Sequence, residues 1–335
     1  MRIVTKDEIL THLDMKVALT AVEDGFRAFA SDKVQVAQTV HLAFPDARGE
    51  CHVKSAHIKG ETVFTVKVAT GFYNNPSQGQ SSSNGFMAVI SARTGAPVAI
   101  LQDEGVLTDV RTALAGVIAA RIGAKAGAQV LGIIGSGIQA RLQAEMIASL
   151  LGYAHILVWA RCAYKADAVV QDLRRKLPSV SIETTDSAER IARQADTIVT
   201  TTSSESPLLR SSWVAPGSHI VAVGADSPGK QELDTNLFKR ARHVIVDSLP
   251  QCVEHGETAN AIAAGAIATD RLKTLGELLG GPGLARDDED ITIADLTGVA
   301  LQDAAIAGCV WQQLKESTAA KVRALHIVDT QDYTK

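Results

Sequence analysis

Aromatic residues make up only 4% of this chain, and lysine and arginine are dispersed along it, so it has neither the stacking platform nor the basic patch of a nucleic-acid binder. Its four cysteines, Cys51, Cys162, Cys252 and Cys309, lie far apart with no CxxC pair. That excludes a thiolate zinc site and a disulfide framework, leaves no metal ligand set expected, and fits a reducing cytoplasm. No uninterrupted apolar run approaches the ~18 residues of a membrane helix. The opening MRIVTKDEIL is acidic by Asp7 and lacks the apolar stretch of a secretory signal. The expectation is a cytoplasmic protein with neither nucleic acid nor a membrane as partner.

What is present is the composition of a globular protein: 46% hydrophobic, 21% charged and a formal net charge of −4 over 335 residues, a length sufficient for two domains. The most informative stretch is Gln129 to Trp159. Val130 to Ile134 is a short apolar run suited to a strand buried on both faces. Gly135-Ser136-Gly137-Ile138-Gln139-Ala140 follows at once. There Gly135 permits a tight turn, Gly137 lets backbone approach a pyrophosphate, and Ala140 allows close packing of helix on sheet. A helix from about Ile138 to Leu151 would aim its N-terminal amides at phosphates, and Ile156 to Trp159 supplies the next strand. The glycine pattern alone is weak evidence, but its place between strand and helix favours a dinucleotide site over the alternative, a plain βα turn in a cofactor-free α/β domain. An NAD site usually carries Asp or Glu at the end of the second strand. Here the chain reads Trp159-Ala160-Arg161-Cys162, which leaves room for a 2′-phosphate and offers a guanidinium to it, so NADP(H) is preferred and NAD(H) is the alternative.

Upstream, Thr5-Lys6-Asp7-Glu8 matches a capping box. Asp14 caps a second helix to about Ser31, with Val17, Ala21, Val22, Phe26 and Phe29 as its buried stripe. Val34 to Asp103 holds short β-type runs, VHLAF, CHVKSAHI, TVFTVKVAT, FMAVIS and VAILQD, which predict a mostly antiparallel sheet. The polar loop NNPSQGQSSSNG within it is either a flap over a site or a solvated excursion. Thr108 to Gly123 reads as a helix joining two domains, with Arg111 near its entry, where a cleft would lie; a solvated helix charge is the alternative.

Downstream the α/β rhythm continues: helices over Ala163 to Lys176 and Ser187 to Arg193, and strands at SIET, Thr197 to Thr201, His219 to Val223, His243 to Val246 and Ile291 to Asp295. The loops TTSSESP, with Thr202, and GADSPGK, with Asp226 and Lys230, end two of these strands and are candidate site walls. An Asp beside a glycine there either exchanges a proton in a desolvated cleft or makes an Asx-turn. A last helix from Val299 to about Glu316 is expected to pack back on the first domain. The fold class is α/β: a Rossmann dinucleotide-binding domain over 116–298, and a discontinuous α+β substrate and dimerisation domain over 1–115 with 299–335.

Six segments, VKVATGFYNNP, SSSNGFMAVISARTG, LTDVRTALAG, GIIGSGIQA, VGADSPGKQELD and TGVALQD, together resemble the ornithine cyclodeaminase and mu-crystallin family in order and spacing over nearly the whole chain. The resemblance implies an NAD(P)-dependent enzyme, usually a homodimer, acting on a small amino or imino acid. It implies that Lys67 and Arg111 hold a substrate α-carboxylate and that Asp226 is the acid/base at the amine. Ser82, Ile138, Gln139, Thr202, Lys230 and the Leu296-Thr297 backbone would line the cofactor pocket, with Thr297 also toward the substrate. Ala160 and Arg161 match the NADP-using, mu-crystallin-like version. Gln38 stands where relatives carry a carboxylate-gripping arginine, and Lys54 on a neighbouring strand would restore the charge, a pattern similar to a branch of imino-acid reductases and ectoine-degradation proteins. Lys54 as a strand lysine facing water is the alternative. The implied activity is reduction of a ketimine or cyclic imine, equivalently amino-acid dehydrogenation. Alternatives are an ornithine- or lysine-type cyclodeaminase with recycling NAD, and a non-catalytic crystallin-like NADP-binding protein.

Overall fold

The computed structural model describes residues 1–331. The chain divides into two compact units, Met1–Arg111 with Ala300–Lys335, and Thr112–Val299.

The first unit is built on a sheet of β1 (Arg2–Thr5), β2 (Val34–Val36), β3 (Val40–Phe44), β4 (Gly49–Ile58), β5 (Val63–Phe72), β6 (Ser83–Ser91) and β7 (Pro97–Gln102), in the order β1-β7-β6-β5-β4-β2 with β3 also on β4. Its pairings are antiparallel except β1 with β7, a parallel edge contributed by an N-terminal strand too short to show a sequence pattern. The helices α1 (Lys6–His12) and α2 (Met15–Ala30) follow β1. Only half of the capping box forms: Thr5 accepts the Glu8 amide, while the Glu8 side chain turns to Arg2 instead of back to the cap. Asp14 caps α2 as expected, accepting from Lys16 and Val17. The buried stripe of α2 is rotated from the expected one, since Val17 is exposed and Ala18, Val22, Gly25 and Phe26 are buried. The reason is the C-terminal helix (Ala300–Gln331), which packs on α2, β4 and β5. It selects the narrow side of α2, where a Cβ on Gly25 would lie 3.1 Å from Leu301 Cδ1 and 3.3 Å from Ala305 Cβ.

The helix α3 (Val106–Gly123) begins in this unit, and the division between units falls inside it. Its start is held by Asp103, whose carboxylate accepts the Leu107 amide at 2.9 Å after a turn through Glu104 and Gly105, both at positive φ.

The second unit carries a sheet of parallel strands: β8 (Val130–Ile134), β9 (His155–Trp159), β10 (Ser181–Thr184), β11 (Thr197–Thr200), β13 (His219–Ala222), β15 (His243–Val246), β16 (Leu272–Thr274) and β17 (Thr292–Asp295), ordered β10-β9-β8-β11-β13-β17-β15-β16. The central strands are short apolar runs buried throughout, as strands covered on both faces must be. Helices α4 (Ile138–Leu151), α5 (Ala163–Lys176), α6 (Ala188–Gln194), α7 (Asn236–Arg240), α8 (Leu249–Cys252), α9 (Glu257–Ala263) and α10 (Leu275–Gly280) complete it, with a separate parallel pair, β12 (Glu205–Leu209) and β14 (Gln231–Leu233). That pair was not expected, because its strands are partly polar and one contains Pro207. The strand order reverses between β8 and β11, the kind of switch point beyond which doubly wound sheets bind ligands.

Gly25→Val should cost about 1–3 kcal/mol by overpacking α2 against the C-terminal helix. Urea unfolding checks it. Gly25→Ala, with about 1 kcal/mol of added helix propensity set against the tight contact, should fall nearer the parent.

Candidate functional site

In the first unit, β5 places Lys67 on the sheet face covered by the C-terminal helix. Its Nζ lies 2.8 Å from Asp303 Oδ2, and both side chains are only 3% exposed. Arg111, in the second turn of α3, donates from Nε to Asp303 Oδ1 at 3.0 Å and from Nη1 to Gln302 Oε1 at 2.8 Å. Lys54 is the register partner of Lys67 on β4, so the two stand side by side on one face. Two cations therefore hold one buried carboxylate, with a third, the half-buried Lys54, beside them. Burial pulls the Lys67 ammonium down to about 8, with Asp303 opposing and Arg111 and Lys54 assisting the fall. Burial pushes Asp303 upward, but its contacts with Lys67 and Arg111 outweigh that and hold it below the usual carboxylate range. Arg111 is thus buried and paired, not a solvated helix charge. Gln38 is exposed in the link between β2 and β3. Ser82 precedes β6, where its carbonyl accepts the Phe72 amide at 2.7 Å.

In the second unit the turn after β8 has the build of a phosphate cradle. Gly135 adopts φ 138°, and a Cβ there would lie 2.2 Å from Thr201 Oγ1 at the end of β11, so only glycine lets these two loops come together. Gly137 is the N-cap of α4 and makes no side-chain cap, with open space where a Cβ would stand. The first amides of a 14-residue helix are then left to an anion. Arg141 braces the turn from below, donating to Ser136 O at 2.6 Å and to Asp172 Oδ2 at 2.8 Å. Ile138 is exposed and Gln139 half-buried at the same helix start. Beyond β9, Ala160 is half-buried and Arg161 exposed.

The loops after β11 and β13 are tied by Glu232, a residue that its sequence context does not single out. It accepts the Thr202 amide at 2.6 Å and the Gly224 amide at 3.0 Å, and burial raises its carboxyl to about 7. Glu257 in turn accepts the Leu233 amide at 3.1 Å and that of Glu232 at 2.5 Å, and burial, aided by Asp295, pushes it up to about 9. Asp226 is neither desolvated nor in an Asx-turn: it is 54% exposed and paired with Lys230 at 2.6 Å. The Leu296-Thr297 segment follows β17 with both residues buried. Thr297 is committed locally, its hydroxyl donating to Asp247 at 3.0 Å while Gln251 donates to its carbonyl at 3.1 Å, so its side chain serves the loop and not an open pocket. Asp303, Gln302, Glu232, Glu257 and Asp247 escape a reading of the sequence because their partners lie on other elements and nothing in their local sequence marks them for burial. The pairing of TGVALQD with VKVAT is the one cue to Asp303.

Residues 1–318 match the model of the ornithine cyclodeaminase/mu-crystallin family. An uncharacterized cyclodeaminase from Sinorhizobium fredii is 40% identical over 96% of this chain and 98% of its own. An archaeal alanine dehydrogenase, solved as a dimer with bound NAD, superposes with a TM-score of 0.87 at 33% identity, covering 95% of this chain and 97% of the other. The iminosuccinate reductase of Paracoccus denitrificans, solved with NAD+, gives a TM-score of 0.87 at 32% identity over 95% and 97% of the two chains. Among the described residues no helix is long and apolar enough to cross a membrane.

Asp303→Asn should lower stability by about 3–5 kcal/mol, because it leaves buried Lys67 and Arg111 facing a neutral amide. Asp24→Asn, which breaks an exposed pair with Arg27, should cost less than about 1 kcal/mol in the same denaturation series.

Proposed function

The chain belongs to the ornithine cyclodeaminase/mu-crystallin family, and from that premise we propose that it is a nicotinamide-dependent reductase of a small ketimine or cyclic imine, equivalently an amino-acid dehydrogenase working at the α-carbon. The observation that carries this reading is the buried pair of Lys67 and Arg111 on Asp303, with the half-buried Lys54 beside Lys67, a set of cations that suits one substrate carboxylate. Relatives named alanine dehydrogenase and iminosuccinate reductase support the reaction type.

A nicotinamide dinucleotide fits the second unit: the glycine turn, the uncapped start of α4 and the switch-point loops suit its pyrophosphate. When bound, that group supplies or accepts the hydride at the substrate α-carbon. The remaining work belongs to the chain. Lys67 and Arg111 grip the carboxylate and fix the orientation of the α-carbon. Asp303 keeps both cations in place and offsets their mutual repulsion. Asp226 relays a proton from solvent to the imine nitrogen as it becomes an amine, or takes it from the amine and returns it to solvent in the reverse direction, with Lys230 holding its carboxylate in line. NADP(H) is proposed over NAD(H) on Ala160 and the exposed Arg161, although the solved relatives carry NAD. A homodimer is proposed as well. The exposed apolar residues Val40, Leu42 and Phe44 of β3 support it, and the alanine dehydrogenase was solved as a dimer.

Cyclodeamination is the second reading, favoured by the 40% identity to a protein bearing that name. It would reuse the same carboxylate grip and hydride step without net consumption of cofactor.

The deciding assay follows reduced nicotinamide absorbance with pyrroline-2-carboxylate, piperideine-2-carboxylate, iminosuccinate, or pyruvate with ammonia or methylamine. Steady NADPH oxidation is expected with at least one. Ammonia release from ornithine with catalytic NAD, and no oxidation in any mixture, would replace the reductase by the cyclodeaminase. Asp226→Asn should lower kcat by about 10²–10⁴-fold, and Arg161→Ser should weaken NADPH by about 10- to 100-fold while sparing NADH. The substrate KM should rise as pH passes about 8, where Lys67 loses its proton.

A further inference from the structure

β3 lies on the edge of the first sheet, and its pairing with β4 sets His41 directly opposite His52. Glu50 stands two residues before His52 on β4, so all three side chains rise from the same face. The imidazole rings stack with centroids 4.6 Å apart. Glu50 Oε2 is 3.4 Å from His52 Nε2 and 3.7 Å from His41 Nε2, and one ligand atom from each residue lies within 4.8 Å of the other two. Four-coordinate zinc at 2.0–2.1 Å from nitrogen or oxygen holds its ligands about 3.3 Å apart, close to these separations. The strand neighbours are small, while Lys54, two residues beyond His52 on β4, shares the face. Ala69 and Gly71 of β5 are the register partners of His52 and Glu50, and Ala43 of β3 is the other partner of Glu50. A Cβ on Gly71 would already touch the Glu50 carboxylate at 3.4 Å. The other oxygen of that carboxylate, Oε1, accepts the Tyr73 hydroxyl, which holds the group in place and leaves Oε2 toward the imidazoles.

We propose that His41, His52 and Glu50 form a binding site for a divalent cation of the zinc class, held by two imidazole nitrogens and one carboxylate oxygen with a coordination position left open. The donor set excludes calcium and magnesium, which take oxygen ligands, and matches the borderline-soft ions that prefer imidazole. No spacing rule flags it in the sequence, because its members sit on two strands joined by a loop and not at the close intervals of a helical or finger motif.

The test uses the full chain, stripped with a chelator and desalted. Zn2+ is titrated against a chromogenic chelator, and the visible spectrum is recorded with Co2+ in its place. One equivalent should bind, and Co2+ should give the intense bands of a four- or five-coordinate ion. Tyr73→Phe should weaken binding by about 10- to 100-fold, the usual cost of removing a group that orients a ligand. His41→Asn and His52→Asn should each weaken it further, while His57→Asn, on the same strand and bonded to the Glu61 carbonyl, should leave it unchanged. The absence of a stoichiometric site in the parent chain overturns the proposal, as does binding that survives His41→Asn combined with His52→Asn. Should those variants fail to fold, the Co2+ spectrum of the parent decides: only the weak bands of the six-coordinate aquo ion would overturn it.

Discussion

The first unit depends on one buried carboxylate. Asp303 comes from the C-terminal helix, Lys67 from β5 and Arg111 from α3, three elements far apart in the chain. None can be removed from water alone, since an unpaired buried charge costs several kcal/mol. The cluster therefore couples the return of the chain's last helix to the sheet built by its first hundred residues. Around this constraint the packing is simple: small residues, Gly25 on α2 and Ala300, Ala304 and Ala305 on the last helix, let the helices approach closely, and Ala56 and Val34 receive the same helix on the sheet. A cluster whose members already balance one another costs less to desolvate than an open ring of cations.

The second unit uses carboxylates differently. Glu232, Glu257 and Asp295 are buried among backbone amides and threonines, and burial raises each of them, Glu257 to about 9 and the other two to about 7. They act as hydrogen-bond staples for loops that lack regular structure. Glu232 joins the ends of β11 and β13, Glu257 holds β14, and Asp295 accepts the Thr258 amide at 2.7 Å at the start of α9. A raised carboxyl favours the folded state below its ordinary range, and that contribution fades as pH climbs through its folded value.

Local patterns made the second unit legible. Apolar runs of five residues, a glycine turn and a 14-residue helix announce β8, α4 and β9 without reference to anything distant, and α5 falls on its expected bounds. Tertiary contacts made other features illegible. β1 has meaning only because β7 lies beside it. Val17 fits the helical period of α2 as well as Ala18 does, and the choice rests with a helix almost three hundred residues away. The capping box failed because Arg2 outcompetes a backbone amide for Glu8. At the site, Lys67 was legible only through the family resemblance, and Arg111 through that and its place near the entry of a helix joining two domains. Their counter-ion, Asp303, passed for a polar position on a helix until three dimensions placed it between them.

The same division explains why one scaffold serves relatives with different names. The proposed carboxylate grip in the first unit and the proposed phosphate cradle in the second would serve a reductase and a cyclodeaminase alike, so neither separates the two. If the chain is a reductase, the difference lies in how long the dinucleotide stays. A reductase must exchange it at every turnover, whereas a cyclodeaminase regains its starting form in place and gains from holding it tightly. An acidic residue after β9 would grip both ribose hydroxyls. On the proposed NADP(H) preference, Ala160 and the exposed Arg161 would offer instead one solvated charge to one phosphate, an interaction that salt screens and water weakens. Such a contact would select a cofactor without retaining it, which is what exchange at every turnover requires.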